Sequence, residues 1–513
     1  MALRRVVFIL MACLLVLGGS VIALLAQQQK QQQNQLLTEA TIDADHRIIA
    51  EIKDHNEIMS NLEFLSDMIG PRLTGTENLA KASHWTEERF SAYALEGAHI
   101  ESWKIAHAWY RGTARGRILS PAGHPLMIAS MGWAPSTPGA VRGPVVYVSA
   151  KTTDELQAYK GKLKGTIVIT SEPRQIPAPY DQPPSPMLVP FRENYILRPP
   201  ARAGQPVPER PPYYQFQREA YKFFRDEGAA AVLLDSSKED ALLNMTSIGG
   251  RNYDIGALPI GFITSENYEL IWRLMKRGPV QVEVEITNSF SDKPVDVYNT
   301  VAEIRGTEKP DEVVFIGAHL DSWDLGTGST DNGTGSMIVL EAARALEKLG
   351  LKPKRTIRFV LFSGEEQGLN GSRAYVEAHK AELAKFSAIL VHDTGTGKVL
   401  SLGLQGNYQD REDLDKALEP LREIGLLELS LRSMSGTDHL PFDQAGVPGF
   451  YAIQDPVDYN RTHHSQSDTF DRAHEDTLIQ GAQVLAVWVY NVAQLPDLLP
   501  RKPVEQLKGE RER

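Results

Sequence analysis

The 513-residue chain contains a single cysteine, Cys13, and that residue lies inside an apolar N-terminal run. The rest of the chain therefore has no thiol, which excludes disulfide bonds and thiolate metal ligands from the body of the protein. Basic residues are not in excess either, because 65 acidic side chains outnumber 54 basic ones and give a formal net charge of -11. We expect no nucleic-acid partner, since phosphate binding requires a positive field.

The N-terminus has the features of an export signal. Arg4 and Arg5 precede the apolar run 6–26, which ends at Ala26 and is followed by the glutamine-rich spacer 27–37. A basic start, an apolar stretch and a small residue at its end are typical of a cleaved secretory signal. The run is also long enough for a retained membrane anchor, since about 20 apolar residues span a bilayer. Both alternatives predict an exported protein, periplasmic or extracellular, and the second adds a membrane tether.

The composition of the remaining chain indicates a division into domains. Two helical patterns, around 48–68 and 79–95, lie on either side of the turn-forming loop 70–76. From about 113 to 292, short β-like runs alternate with Gly and Pro turns. Within it, the proline-rich stretch 177–212 favours a solvated surface loop over a substrate lid. The sequence thus predicts a β-rich unit in the middle of the chain.

The C-terminal part of the chain alternates between strand and helix patterns. Continuous apolar runs at 313–318, 356–362 and 388–391 are typical of buried parallel strands. Helical patterns at 334–349 and 369–379 lie between these runs. We therefore predict an α/β domain with a mixed, largely parallel central sheet flanked by helices.

Side chains that bind metals follow each of these predicted strands, at the sheet edge where open α/β domains place their active sites. Taken singly, each has an ordinary explanation as a core histidine, a helix cap, a turn residue or a solvated pair. Together they place several charges in apolar surroundings, a cost that a divalent metal would remove. Imidazole nitrogen and carboxylate oxygen are suitable zinc ligands. The candidates are His319, Asp321, Asp331, Glu365, Glu366, Asp393, His463 and His464.

The segments around these residues resemble the co-catalytic zinc aminopeptidases and carboxypeptidases. Within that family, the branch of plasma glutamate carboxypeptidase (carboxypeptidase Q)-like peptidases looks closest. The family resemblance rests on His319-Leu320-Asp321, on Thr330 to Gly335, on Gly364 to Gly368, on Asp393 and on His464 to Thr469. The closer resemblance rests on 319–324, 436–438, 444–448, the doubled histidine and the loop 70–76.

The resemblance implies a domain organisation. The zinc exopeptidase fold would comprise an N-terminal part at 38–112 and a main part at 293–497. A protease-associated domain would be inserted at 113–292, and a charged tail would follow at 498–513.

The resemblance also implies a centre with two Zn²⁺ ions per chain. Asp331 would bridge the two ions. His319 and Asp393 would complete one site, and Glu366 and His464 would complete the other.

Roles for the remaining candidates follow from the same resemblance. Glu365 would be the general base, and the Asp321 carboxylate would accept the second N–H of the His319 imidazole and fix its tautomer. His463 would either donate a hydrogen bond to the oxyanion or pack beneath its loop. Asp468 would brace the His464 loop rather than bind metal.

The implied activity is removal of a terminal residue from short peptides or dipeptides. One alternative is glutaminyl cyclase-like acyl transfer, which typically uses one zinc ion. The other is a receptor or binding protein on a catalytically dead peptidase scaffold. A homodimer is expected by resemblance alone.

Overall fold

The computed structural model describes residues 38–175, 213–248, 252–456 and 458–503. The predicted signal or anchor, the glutamine-rich spacer and the proline-rich stretch 177–212 lie outside these ranges and stay predictions. Among the helices of the described ranges, none is both long and apolar enough to cross a membrane.

The strands of the described ranges are β1 (Glu96–Ile105), β2 (Trp109–Ser120), β3 (His124–Leu126), β4 (Ile128–Ser130), β5 (Val141–Tyr147), β6 (Ile167–Ile169), β7 (Ala231–Asp235), β8 (Ile260–Ile263), β9 (Gln281–Phe290), β10 (Val295–Ile304), β11 (Lys309–His319), β12 (Arg355–Phe362), β13 (Phe386–Val391), β14 (Val399–Gly403) and β15 (Gly449–Gln454). The α-helices are α1 (Glu39–His55), α2 (Ile58–Glu63), α3 (Glu77–Ala92), α4 (Thr153–Leu156), α5 (Tyr213–Asp226), α6 (Ser265–Met275), α7 (Thr334–Lys348), α8 (Asn370–Ala378), α9 (Arg411–Ala417), α10 (His439–Gln444), α11 (Tyr459–Thr462) and α12 (Glu475–Ala493).

The first sheet has seven strands in the order β1-β10-β12-β11-β13-β15-β14. The four strands β12, β11, β13 and β15 pair in parallel, and the pairs towards both edges are antiparallel. All six residues of β13 are buried, as a strand covered on both faces requires. The predicted mixed α/β sheet flanked by helices is confirmed, with its parallel part at the centre.

Helices cover both faces of this sheet. On one face α7 and α12 pack together over the central strands, and nearly all of their residues are buried. On the other face Tyr375 of α8 and Phe442 of α10 contact the aromatic side chains of the strands. The Phe315 and Phe386 rings, 4.7 Å apart, extend this cluster across β11 and β13.

The second sheet is built from the middle of the chain. Its eight strands have the order β3-β2-β9-β5-β6-β7-β8-β4, and β5, β6, β7 and β8 pair in parallel. One face is covered by α6, through Tyr268 and Ile271, and the other by α5, through Tyr221 and Phe224. The sheet begins at Trp109 and ends at Phe290, close to the predicted unit 113–292. The assignment of this unit as a protease-associated domain stays a prediction.

Two details of the expected elements differ from the structure. The helical pattern 48–68 is interrupted at Asn56, whose backbone is extended and whose side-chain Oδ1 accepts a hydrogen bond from the Ile58 N–H at 3.2 Å. The chain therefore leaves α1 at Asn56 and begins α2 after Glu57, whose side chain does not cap the new helix. At the other end, Lys502 is buried and lies 2.6 Å from Asp443, so the first residues of the predicted tail pack against the folded domain.

Candidate active site

The candidate ligands meet at the carboxyl edge of the first sheet. His319 is the last residue of β11, Glu365 and Glu366 follow β12, and Asp393 follows β13. Because these three strands are parallel neighbours, their ends bring the side chains to one place. The loop before α7 adds Asp331, and two histidines after α11 complete the cluster.

One half of the cluster contains His319, Asp331 and Asp393. The His319 Nε2 atom lies 2.9 Å from Oδ1 of Asp393 and 3.4 Å from Oδ1 of Asp331. All three side chains are buried. One ligand atom from each lies close enough to the others to hold a single metal ion.

The other half uses the second oxygen of Asp331. The His464 Nε2 atom lies 2.9 Å from Oε2 of Glu366 and 3.5 Å from Oδ2 of Asp331. Asp331 thus presents one carboxylate oxygen to each half, which is the arrangement that a bridging ligand needs.

These donors fit a zinc centre. The His319 Nδ1 faces the backbone carbonyl O of Asp321 at 2.9 Å, so this nitrogen donates and the neutral ring has its lone pair at Nε2. A lone pair there would point at the Asp393 oxygen 2.9 Å away, so this contact needs either a proton on Nε2 or a metal cation between the two atoms. Asp331 Oδ2 and Glu366 Oε1 are buried and have no hydrogen-bond partner in the described chain. Buried carboxylate oxygens of this kind call for a cation.

The electrostatics of the cluster support the same conclusion. Burial, and then the charge of Asp393, raise the pKa of Glu365 well above its usual range. Burial, and then the charge of Asp331, do the same to the pKa of Glu366. Burial opposes protonation of His319, yet the surrounding carboxylates raise its pKa well above its usual value. Crowded like charges have this effect, and divalent cations would relieve it.

The position of Glu365 depends on the preceding residue, Gly364, where any other residue would introduce strain. Gly364 has a φ of +68°, and a Cβ atom there would lie 2.6 Å from the Trp103 ring. After this turn Glu365 is largely buried, and its carboxylate makes no hydrogen bond or ion pair with any described residue. A carboxylate held beside the cluster but left without a partner is suited to exchange protons with a substrate.

Asp321 acts differently from the sequence prediction. Its backbone carbonyl accepts the His319 hydrogen bond, while its carboxylate lies 3.6 Å from the ring nitrogen. The carboxylate instead accepts hydrogen bonds from the Glu365 N–H at 3.2 Å, the Glu366 N–H at 3.4 Å and the Thr74 hydroxyl at 3.0 Å. Asp321 therefore fixes the ring through its backbone and the two glutamates through its side chain.

Asp468 joins the two loops that supply ligands. Its carboxylate accepts hydrogen bonds from the Thr330 N–H at 2.6 Å and the Asp331 N–H at 3.2 Å. His464, four residues earlier, has a φ of 55°, a left-handed conformation that is uncommon for a non-glycine residue. The bracing role predicted for Asp468 is thus directed at the Asp331 loop as well.

A sequence profile of peptidase family M28 matches residues 299–489. Carboxypeptidase Q from Bos taurus is 32% identical over 452 residues, which cover 88% of this chain and 88% of that protein.

The chain belongs to peptidase family M28.

Solved structures agree with this membership. A Peptidase M28 precursor from Shewanella amazonensis matches with a TM-score of 0.74 and 26% identity, covering 91% of this chain and 99% of that chain. A zinc aminopeptidase from Bacillus subtilis shares the fold, with a TM-score of 0.59 and 21% identity over 84% of this chain and 93% of that chain. The predicted family and fold are confirmed: the chain is a peptidase of family M28 and has the fold of these solved structures.

His463 occupies a position that the sequence left open. Its ring stacks on His464 at 3.7 Å between centroids, and its Nε2 lies 3.9 Å from Oδ2 of Asp331. The side chain is 43% exposed, so it faces the solvent side of the cluster and does not pack beneath the loop. It could serve as a ligand with Asp331 and His464, in place of Glu366, or contact a bound substrate.

Sequence analysis of this M28 peptidase missed Arg72. The side chain is fully buried, and its guanidinium donates to the backbone carbonyls of Leu320 at 2.7 Å, Thr327 at 2.8 Å and Gly328 at 2.6 Å. These bonds tie the loop 70–76 to the end of β11 and to the Asp331 loop. The resemblance of the loop 70–76 to the family was the one sequence feature that pointed to this region. Nothing in the local pattern indicates which distant carbonyls an arginine will contact.

Proposed function

We propose that this M28 peptidase is a two-zinc exopeptidase that removes a terminal residue from short peptides or dipeptides. The observation that carries the proposal is the arrangement around Asp331. Its Oδ1 atom faces His319, and Asp393 lies beside His319. Its Oδ2 atom faces His464, and Glu366 lies beside His464. Two complete donor sets that share one carboxylate match a pair of ions better than a single ion.

In this proposal each residue has a distinct task. His319 and Asp393 hold one ion, Glu366 and His464 hold the other, and Asp331 is shared. Bound zinc supplies Lewis acidity, which makes water easier to deprotonate and polarises the scissile carbonyl group.

Glu365 is the proposed general base. It takes a proton from the attacking water and passes it to the leaving amine, so the peptide bond breaks while the carboxylate returns to its starting state. The hydrogen bonds from the backbone N–H groups of Glu365 and Glu366 to Asp321 hold both glutamates in register for these two tasks.

Export is proposed from the sequence alone. The basic residues Arg4 and Arg5 and the apolar run 6–26 support it.

The proposal is tested by metal analysis together with a base variant. We expect about two zinc ions per chain, and we expect Glu365→Gln to retain both while kcat falls by roughly 10²–10⁴-fold. The control is Glu377→Gln, an exposed glutamate on α8. Full activity of metal-free protein would contradict the zinc centre. One zinc per chain with acyl transfer on glutaminyl peptides would favour the cyclase-like alternative.

A further inference from the structure

The second sheet contributes a segment to the surroundings of the metal cluster. Residues 236–248, between β7 and β8, lie along the loop that contains His463 and His464. The Met245 N–H donates to the His464 carbonyl at 2.9 Å, and the Leu243 N–H donates to Oε1 of Gln466 at 2.9 Å. This contact fixes the 236–248 segment next to the candidate active site.

The same segment brings a cation to this place. The Lys238 Nζ donates to the backbone carbonyl of Asn460 at 3.0 Å, four residues before His464. The neighbouring acids Glu239 and Asp240 do not neutralise it, because they lie 3.8 Å and 3.1 Å from the Arg461 guanidinium. In the described chain Lys238 has no carboxylate within ion-pair distance.

Lys238 is only partly exposed, so its ammonium loses some hydration without gaining a counter-charge. Burial lowers its pKa, and the opposing effect of Asp331 shows that the ammonium feels the charge of the cluster. An incompletely solvated cation is unfavourable in the free protein and becomes favourable when an anion binds beside it.

We infer that Lys238 is a specificity-determining residue that binds a carboxylate of the peptide substrate, its free C-terminus. This inference rests on the proposed exopeptidase function. A terminal carboxylate lies about one residue, or roughly 3.3–3.6 Å of chain, beyond the scissile bond. The Lys238 Nζ lies against the Asn460 carbonyl, four residues before His464, so the end of a short peptide that leaves the cluster along this loop would approach the ammonium.

A second source of the same chemistry is an acidic side chain on the terminal residue. The test uses the zinc-loaded enzyme and three substrates of matched length: a dipeptide with a neutral terminal residue, its C-terminal amide, and an amide with a terminal glutamate. Lys238→Met should lower kcat/KM for the free acid by roughly 10–100-fold, the loss of one charged hydrogen bond, mainly through KM. Activity on the neutral amide should stay within about twofold of the unmodified protein.

Lys238→Arg should recover most of the preference for the free acid, because it restores the cation. Lys151→Met, an exposed lysine of the same domain, is the control and should change nothing. An equal loss on acid and amide would show a structural role and overturn the inference, as would no loss on either. A loss confined to the glutamate amide would assign Lys238 to the side chain and overturn the C-terminal assignment.

A binding measurement separates this inference from the proposed function. In the Glu365→Gln background, calorimetry should show that Lys238→Met weakens binding of the free-acid dipeptide and not of its amide. Absence of peptide cleavage by the unmodified chain would refute the proposed function alone. Unchanged binding of the free acid would refute the role of Lys238 alone.

Discussion

At the scale of single residues, the candidate centre depends on groups that contact no substrate. Arg72 is the clearest of them, since a fully buried guanidinium is satisfied by backbone carbonyls instead of a carboxylate. Its charge lies near Asp468, Asp321 and Asp331, which raise its pKa, although burial prevails and lowers it to about 10. Arg72 thus supplies a permanent positive charge behind an acidic cluster.

We predict that Arg72→Met lowers the free energy of unfolding by about 3 kcal/mol, because several buried carbonyls lose a charged donor together. Denaturant unfolding of the zinc-loaded protein, followed by tryptophan fluorescence, measures the change. Arg115→Met, an exposed arginine of β2, is the matched control. A loss below about 1 kcal/mol would show that water or other donors replace the guanidinium.

What the sequence could predict at this scale depends on how local the signal is. His319, Glu366 and Asp393 could be predicted because each follows an apolar strand, and parallel strands bring their ends together. The contacts of Arg72 and Lys238 could not, since their partners are more than 200 positions away along the chain. The sequence predicted that Asp321 faces the His319 imidazole, but a sequence pattern does not distinguish the backbone oxygen, at 2.9 Å, from the carboxylate oxygen, at 3.6 Å.

At the scale of elements, His379 at the end of α8 connects that helix to β1. Its Nε2 lies 3.0 Å from Oε2 of Glu101, and its Nδ1 lies 3.3 Å from Oε1 of Glu382. The hydrogen bond with Glu101 raises the pKa of His379 above its ordinary 6.5, against the opposing effect of burial. The folded state therefore binds this proton more tightly than the unfolded chain does.

A group with a raised folded pKa stabilises the protein fully below its unfolded pKa, near 6.5, and loses that contribution as the pH rises through the folded value. We predict that the stability difference between the unmodified chain and His379→Gln is roughly 1 kcal/mol at pH 6 and shrinks at alkaline pH. Urea unfolding from pH 6 to alkaline pH measures this difference. His99, which also contacts Glu101, stays unchanged in both proteins. His84→Gln, at an exposed histidine, is the control; a difference that grows with pH would reverse the sign of the linkage.

The elements differ in how far sequence could predict them. Strands β11, β12 and β13 match the predicted runs within a few residues, because strands buried on both faces require continuous apolar sequence. The helices α5 and α6 of the second sheet were not predicted, since the Gly and Pro turns around them dominate the local pattern. The first helical pattern is interrupted at Asn56, whose side chain bonds to the Ile58 N–H two residues on, a break that hydrophobic periodicity does not show.

At the scale of the whole molecule, the two sheets are joined at the metal centre. Arg111 of β2 lies 2.7 Å from Asp324, which follows β11, and both side chains are largely buried. The 236–248 segment adds the contacts to the His464 loop. The stability of the molecule and the occupancy of its centre should consequently be coupled.

We predict that chelation of zinc lowers the midpoint of thermal unfolding, since a ligand at a thousandfold excess over its Kd stabilises the folded state by about 4 kcal/mol. Calorimetric scans with chelator, and after zinc is restored, measure the shift. In Asp331→Ala the chelator should have little effect, because both donor sets lose their shared member. Asp311→Ala, an exposed aspartate, should respond like the unmodified chain. An equal chelator shift in Asp331→Ala would place the stabilising metal elsewhere.

The position of His464 in the chain sets the order of events during biosynthesis. Under the proposed ligand set, the first ligand leaves the ribosome at residue 319 and the last only at residue 464, followed by the brace Asp468. Met245, which contacts the His464 carbonyl, has by then long been synthesised and can await its partner. The set of His319, Asp331 and Asp393 is therefore complete at residue 393, whereas the second set is complete only at residue 464, and a nascent chain stopped between them would carry half of the centre.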